Sequence, residues 1–174
     1  MTPAQRHYSQ GMSLFDSGEY LKALEEFSQT IELDPQYAEA YYIRGHSYAN
    51  LGQYERAIED YDSAVELDPQ YAWAYNNRGS SYRKLGQYER AIEDYDKAIE
   101  LDPQLDLAYA SRASSYFLLK QDERAIQDYN QAIKIDPNDG YPYYWRGQAH
   151  SQLGNSTQSD KDLAKAAELG YEPD

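Results

Sequence analysis

The sequence predicts an all-α solenoid of five stacked antiparallel helix pairs, and three observations carry that prediction. Asp-Pro recurs at 34–35, 68–69, 102–103 and 136–137, so Pro35, Pro69, Pro103 and Pro137 stand 34 residues apart. Other residues keep the same step: Gly11, Gly45 and Gly79, then Ala113 and Gly147; Tyr48, Tyr82 and Tyr116; Ala23, Ala57, Ala91 and Ala125; and Phe27, Tyr61, Tyr95 and Tyr129. Within a unit the apolar residues fall at helical spacing, as Ala57, Ile58, Tyr61, Ala64, Val65 and Leu67 do between 54 and 67. A period of this length marks a repeat architecture, in which one unit cannot bury both of its faces and neighbours must stack.

The elements follow in order. Thr2 is a good N-cap, Pro3 suits the first helical position, and Gln5 completes a capping-box spacing, so the chain reads as a helix from its start. The units fall at 4–37, 38–71, 72–105, 106–139 and 140–174, a single array over 1–174. In each, two helical stretches flank a short break, seen in Leu51-Gly52-Gln53, Leu85-Gly86-Gln87 and Leu153-Gly154-Asn155. Glycine there permits the positive φ that ends a helix. The Asp-Pro step ends the second stretch, because the residue before proline is steered out of the α region. Small residues at Gly45, Ala57 and Ala64 let paired helices approach, and Tyr41, Tyr48 and Tyr61 fill the remaining space. The fourth unit has Lys120 for the loop glycine and Asp122 for the tyrosine after it, so its turn is expected to be the least regular. The fifth unit ends Glu168-Leu169-Gly170-Tyr171 without Asp-Pro. Its last helix, from about 156 to 169, is rich in Ser, Gln, Asp and Lys, as a C-terminal cap requires. No separate capping helix follows, which leaves room for end-to-end association.

The 34-residue pattern of an aromatic, two residues, Leu-Gly, two residues and Tyr, then Ala, an aromatic and Pro, resembles the tetratricopeptide repeat family over essentially the whole chain. The resemblance implies a right-handed superhelix whose first helices line a concave groove and whose second helices form the convex wall. It also implies a protein-interaction scaffold that binds a peptide of a partner in the groove, with no enzymatic activity and no cofactor. Groove positions of the family fall on Tyr8, Met12 and Phe15, on Glu39, Tyr42, His46 and Asn50, and on Trp73, Asn76, Asn77, Ser80, Arg83 and Lys84. In the last two units they fall on Leu107, Ser114, Phe117 and Leu118, and on Tyr141, Tyr144 and Trp145. Tyr42, His46, Trp73, Asn76, Asn77, Ser80, Arg83, Lys84, Leu107, Tyr141 and Tyr144 form the expected peptide-binding set, centred on the third unit. The Lys/Asn/Asn/Lys/Arg clamp by which some members grip a terminal carboxylate is not reproduced: the corresponding positions start Tyr8, Met12, Ile43, Trp73 and Asn77.

One departure from the family pattern is itself periodic. Leu before the first-helix glycine is replaced by Arg44, Arg78, Arg112 and Arg146, with Gln10 in the first unit. Sixteen residues on stand Asp60, Asp94, Asp128 and Asp162, with Glu26 in the first unit. A bidentate Arg–Asp pair is expected to tie each first helix to a second helix, of its own unit or of a neighbour. Units two and three are nearly identical from Leu-Gly-Gln-Tyr onward and the outer units have drifted. That gradient suits a recent internal duplication or a consensus-type engineered array, the latter a self-associating scaffold without a dedicated ligand.

Composition excludes several classes. With no cysteine there is no disulfide, thiolate metal site or thiol nucleophile. No apolar run approaches membrane-span length and no secretory signal is visible, so a cytoplasmic location is expected. Net charge of −14 argues against nucleic acid, which needs a basic footprint. The charge is unevenly spread: the first stretches of the five units carry 0, 0, +3, 0 and +1, leaving about −18 for the rest. Arg83 and Lys84 are the cations of the groove set, so an acidic or carboxylate-bearing peptide is the expected partner. Asp-Tyr-Asp at 60–62 and 94–96 does not pair its carboxylates, because residues two apart on a helix do not share a face. The three histidines fall at unrelated repeat positions, and no spacing matches a phosphate loop, a metal helix or a nucleophile elbow.

Overall fold

The computed structural model describes residues 1–173. Among them are ten α-helices and no strand: α1 (Pro3–Asp16), α2 (Tyr20–Leu33), α3 (Ala38–Asn50), α4 (Tyr54–Leu67), α5 (Ala72–Lys84), α6 (Tyr88–Leu101), α7 (Asp106–Leu118), α8 (Asp122–Ile135), α9 (Gly140–Gln152) and α10 (Ser156–Glu168). The chain is all-α and of the helix-pair solenoid class. It forms two compact units, Met1–Gly86 with α1 to α5 and a second from Gln87 onward with α6 to α10. In the first, α1 pairs with α2, α3 with α4, and α2 and α4 pack against α3 and α5. In the second, α7 pairs with α8, α9 with α10, and α6 and α8 pack against α7 and α9.

The caps follow from local chemistry. At α1 the capping box forms as read, with Gln5 N–H donating to Thr2 Oγ1 at 3.2 Å and Thr2 N–H to Gln5 Oε1 at 2.8 Å. Gly18, Gly52, Gly86 and Gly154 all adopt positive φ in the pair turns. Lys120 does the same at φ 60°, so the fourth unit keeps a regular turn despite losing its glycine. Lys120 N–H bonds Phe117 O and Gln121 N–H bonds Tyr116 O, matching Gly52 to Ala49 and Gln53 to Tyr48. Regularity is retained by straining a non-glycine residue, which corrects the expectation of an irregular turn. The Asp-Pro exits have a second device beyond proline. Asp34, Asp68, Asp102 and Asp136 each accept, through Oδ1, the N–H two residues on at 2.9–3.1 Å. That Asx turn explains why aspartate precedes each proline.

The core is a row of alanines and ring positions. Ala23, Ala57, Ala91 and Ala125 are fully buried, as are Phe27, Tyr61, Tyr95 and Tyr129. Gly45 is required by that row: a Cβ there would lie 3.0 Å from the Tyr61 ring and 3.1 Å from Ala57 O.

Periodic arginines tie the pairs together and to the preceding helix. Arg44 grips Asp60 through Nε and Nη2 at 2.8 and 2.7 Å, and Arg112 and Arg146 grip Asp128 and Asp162 in the same way at 2.5–2.7 Å. The remaining Nη1 reaches sixteen residues back, to Ser28, Asp62, Asp96 and Asn130 from Arg44, Arg78, Arg112 and Arg146. The two alternatives left open by the sequence are therefore both realised. Each guanidinium also lies over the tyrosine three residues earlier, 5.3–5.7 Å from the ring centre of Tyr41, Tyr75, Tyr109 or Tyr143. Asp60 feels two opposed effects, burial pushing its pKa up and Arg44 pulling it down, while Arg44 is raised by Asp60 against its own desolvation. Two short bonds in fork geometry mark a charged pair. In the first unit His7 occupies the tyrosine slot, and its Nδ1 lies 2.7 Å from Glu26 Oε2.

Candidate functional site

Helices α5 and α9 carry no acid, unlike α1, α3 and α7, and of the two α5 is the more basic. It ends on Arg83 and Lys84, where cations also complement the helix dipole. Lys84 is exposed and makes no hydrogen bond or ion pair. Arg83 is half-buried, with Nε out of solvent and unpartnered.

The predicted residues of the first compact unit divide by exposure. Trp73 is 42 % exposed at the start of α5, while Tyr42, His46, Asn77 and Ser80 are half-buried. Asn76 departs from expectation: it is only 4 % exposed, so its amide does not face a ligand. Its Nδ2 donates to Asn77 Oδ1 at 3.1 Å, and Asn77 Nδ2 donates to Tyr42 Oη at 3.0 Å. The two asparagines thus serve largely to fix α5 on α3, with Asn76 Oδ1 left without a partner. The Tyr42 ring sits 4.7 Å from Tyr71, and burial raises its hydroxyl pKa. His46 packs against Phe15 at 5.0 Å, and burial lowers its pKa, which keeps the imidazole neutral near physiological pH.

Between α3, α4 and α5 opens a pocket of about 200 Å³ bordered by His46, Asn50, Tyr61, Asn77, Ser80 and Lys84, with Ala49 and Tyr54 adding apolar wall. No acidic residue lines it. Tyr61 is fully buried, burial pushes its pKa up against a weaker downward pull from the Asn77 side chain, and its Oη has no hydrogen-bond partner within 3.5 Å. The sequence had placed Tyr61 among core residues only. The missed signal was His46, which stands where the fourth unit has Ser114.

The second compact unit closes the corresponding place. Tyr129 Oη lies 3.1 Å from Ser114 Oγ, which lies 2.7 Å from Tyr141 Oη and also bonds Ala110 O. Tyr141, Tyr144, Trp145 and Tyr171 form a ring cluster with centroids 5.3–6.2 Å apart, so Tyr141 and Tyr144 are packing residues there. Leu107 remains 45 % exposed. Asp122, in the slot of Tyr54 and Tyr88, is buried with Oδ1 unpartnered and its pKa raised by desolvation.

Among the described residues no cluster of three or more His, Cys, Asp or Glu could hold a metal ion. Among the same residues no helix is long and apolar enough to cross a membrane.

Comparison with known proteins gives a consistent result. Tetratricopeptide repeat models match residues 8–72, 72–105 and 141–169, and a TPR repeat model matches 113–154. No curated protein matches the sequence significantly. Among solved structures the chain is similar to MamA at 26 % identity, covering 92 % of this chain and 94 % of that one, with a TM-score of 0.84. It is similar in fold to YrrB, a TPR protein with an unusual peptide-binding site, at 21 % identity over 94 % and 84 % of the chains with a TM-score of 0.76. It is likewise similar in fold to PilF of Pseudomonas aeruginosa at 16 % identity over 98 % and 78 %, with a TM-score of 0.89.

Proposed function

Because this chain belongs to the tetratricopeptide repeat family, a family of generally non-enzymatic protein-interaction scaffolds, we propose that it holds an acidic peptide segment of a partner protein against its first helices, with α5 as the principal element. One observation carries this reading: in a chain of net charge −14, α5 has no acid and ends on two cations, of which Lys84 is unpaired. A negative segment is repelled by the second helices and finds its nearest favourable charge on α5. Trp73 supplies an exposed ring at the other end of the helix, the residue type that anchors interfaces. The amides of Asn76 and Asn77 act as supports for that face more than as contacts. A peptide held on a scaffold asks for no catalytic step, no cofactor and no metal.

Selection of random displayed peptides on the full chain tests the reading. Recovered peptides are expected to be enriched in Asp and Glu, and to lose about tenfold or more in affinity for the Arg83→Gln, Lys84→Glu double variant, the scale of one or two charge-assisted contacts. Recovery of no acidic consensus, or equal binding by the double variant, contradicts it.

A further inference from the structure

The pocket between α3, α4 and α5 goes beyond a general affinity for acidic peptides, and resting on that reading we infer that it is a specificity pocket for one carboxylate side chain, with Tyr61 Oη as its hydrogen-bond donor and Lys84 as its charge. Three observations lead there. Tyr61 Oη is fully buried, lines the pocket and has no partner. A buried hydroxyl without a hydrogen bond is costly, and persists where something absent from the free protein completes it. The fourth unit shows how the fold satisfies the same tyrosine when no pocket is wanted: Ser114, itself bonded to Tyr141, completes Tyr129. At the matching places around Tyr61 stand His46, which does not bond it, and Trp73, which remains 42 % exposed.

The chemistry of the lining selects the ligand group. Asn77 has both its oxygen and one amide proton committed, to Asn76 and Tyr42, and Asn50 Nδ2 donates to His46 O. The Tyr61 hydroxyl and the free Lys84 ammonium remain as donors beside the second amide protons of Asn50 and Asn77, with no carboxylate in the lining to compete for them. A lining of donors that includes one cation and no opposing acid calls for an acceptor of negative charge. A side-chain carboxylate arrives on methylenes that suit Ala49 and the rings of Tyr54 and Tyr61. A chain-terminal carboxylate instead brings its own polar amide N–H against that apolar wall.

Amide chemical shifts of the full chain, titrated with N-acetyl-glutamate amide, test the assignment. Saturable shifts at His46, Asn77 and Ser80 are expected, with N-acetyl-glutamine amide at least about tenfold weaker, as loss of a charged hydrogen bond implies. Tyr61→Phe, which removes one oxygen, is expected to weaken glutamate binding by about the same factor, and exposed Lys84→Gln to erase the preference over glutamine. Tyr129→Phe serves as a control and leaves the titration unchanged. No saturable shift, equal binding of the two blocked residues, or an unaltered Tyr61→Phe titration overturns the inference. N-acetyl-glycine, binding Tyr61 as well as blocked glutamate does, overturns the choice of a side chain over a chain end. If acidic peptides are selected but these titrations fail, the pocket falls and the wider peptide reading stands. If blocked glutamate binds while no peptide is recovered, the reverse holds.

Discussion

The tyrosine that crosses from each second helix into its pair is the same residue in the second and fourth repeats, yet its hydroxyl is treated in opposite ways. Tyr129 ends in a chain of hydrogen bonds through Ser114 to Tyr141, beside a cluster of rings. Tyr61 ends at a pocket with no partner, among groups that carry no negative charge. One backbone pattern therefore supports a closed seam in one compact unit and an open recess in the other. The difference is set by two substitutions in the repeat, His46 for Ser114 and Trp73 for Tyr141. A scaffold of near-identical units becomes specific through such local departures, because the repeated positions fix the helices and leave first-helix residues free to vary.

The arginine ladder offers the largest way to strain that contrast. Arg112 holds Asp128 and Asp96, whereas Arg44 holds Asp60 and the neutral Ser28. Arg112→Leu is expected to cost about 3 kcal/mol in denaturant unfolding, since it strands a buried carboxylate. Arg44→Leu is expected to cost up to about 1 kcal/mol less, the worth of the half-exposed Asp96 contact. Hydrogen exchange on each variant should place the loss in α6 to α8 and in α2 to α4 respectively.

Next in size is the helix-pair crossing. Gly45→Ala drives a methyl into the Tyr61 ring and Ala57 O and is expected to destabilise by about 1–2 kcal/mol, which thermal melts would register. The fourth repeat carries Ala113 at that place without exposure, so Ala113→Gly is expected to cost about 1–2 kcal/mol through helix propensity and the loss of a buried methyl. In the turns the sign reverses. Lys120→Gly removes a positive φ from a side-chain-bearing residue and should stabilise the second unit by about 1 kcal/mol, whereas Gly52 is already relaxed.

The smallest effect concerns pH. His46 has its pKa lowered by burial in the folded chain, so below the ordinary imidazole value of 6.5 the unfolded state takes up a proton that the folded state resists. Stability of the first unit should therefore fall as pH drops through that value, and His46→Asn should flatten the dependence in urea titrations.

Much of the fold is legible from residues alone because the signal repeats. The capping box at Thr2, the α4 bounds and the Arg–Asp register each follow from spacing that recurs or from a known cap. What escaped the sequence was local and unrepeated. Lys120 keeps a glycine's conformation because the helices on either side fix the turn, and no propensity predicts that. Asn76 and Asn77 look like paired ligand amides in one dimension. Only packing against Tyr42 turns them inward. Tyr61 is indistinguishable in sequence from Tyr95 and Tyr129, since its unmet hydroxyl depends on what two other helices fail to supply.

The most direct measurement compares Tyr61→Phe with Tyr129→Phe in the ligand-free full chain by equilibrium urea unfolding. Removing an unsatisfied buried hydroxyl should leave stability unchanged or raise it, whereas removing a satisfied one should cost about 1 kcal/mol. An equal loss in both variants would show that Tyr61 already has its partner and that the two regions do not differ.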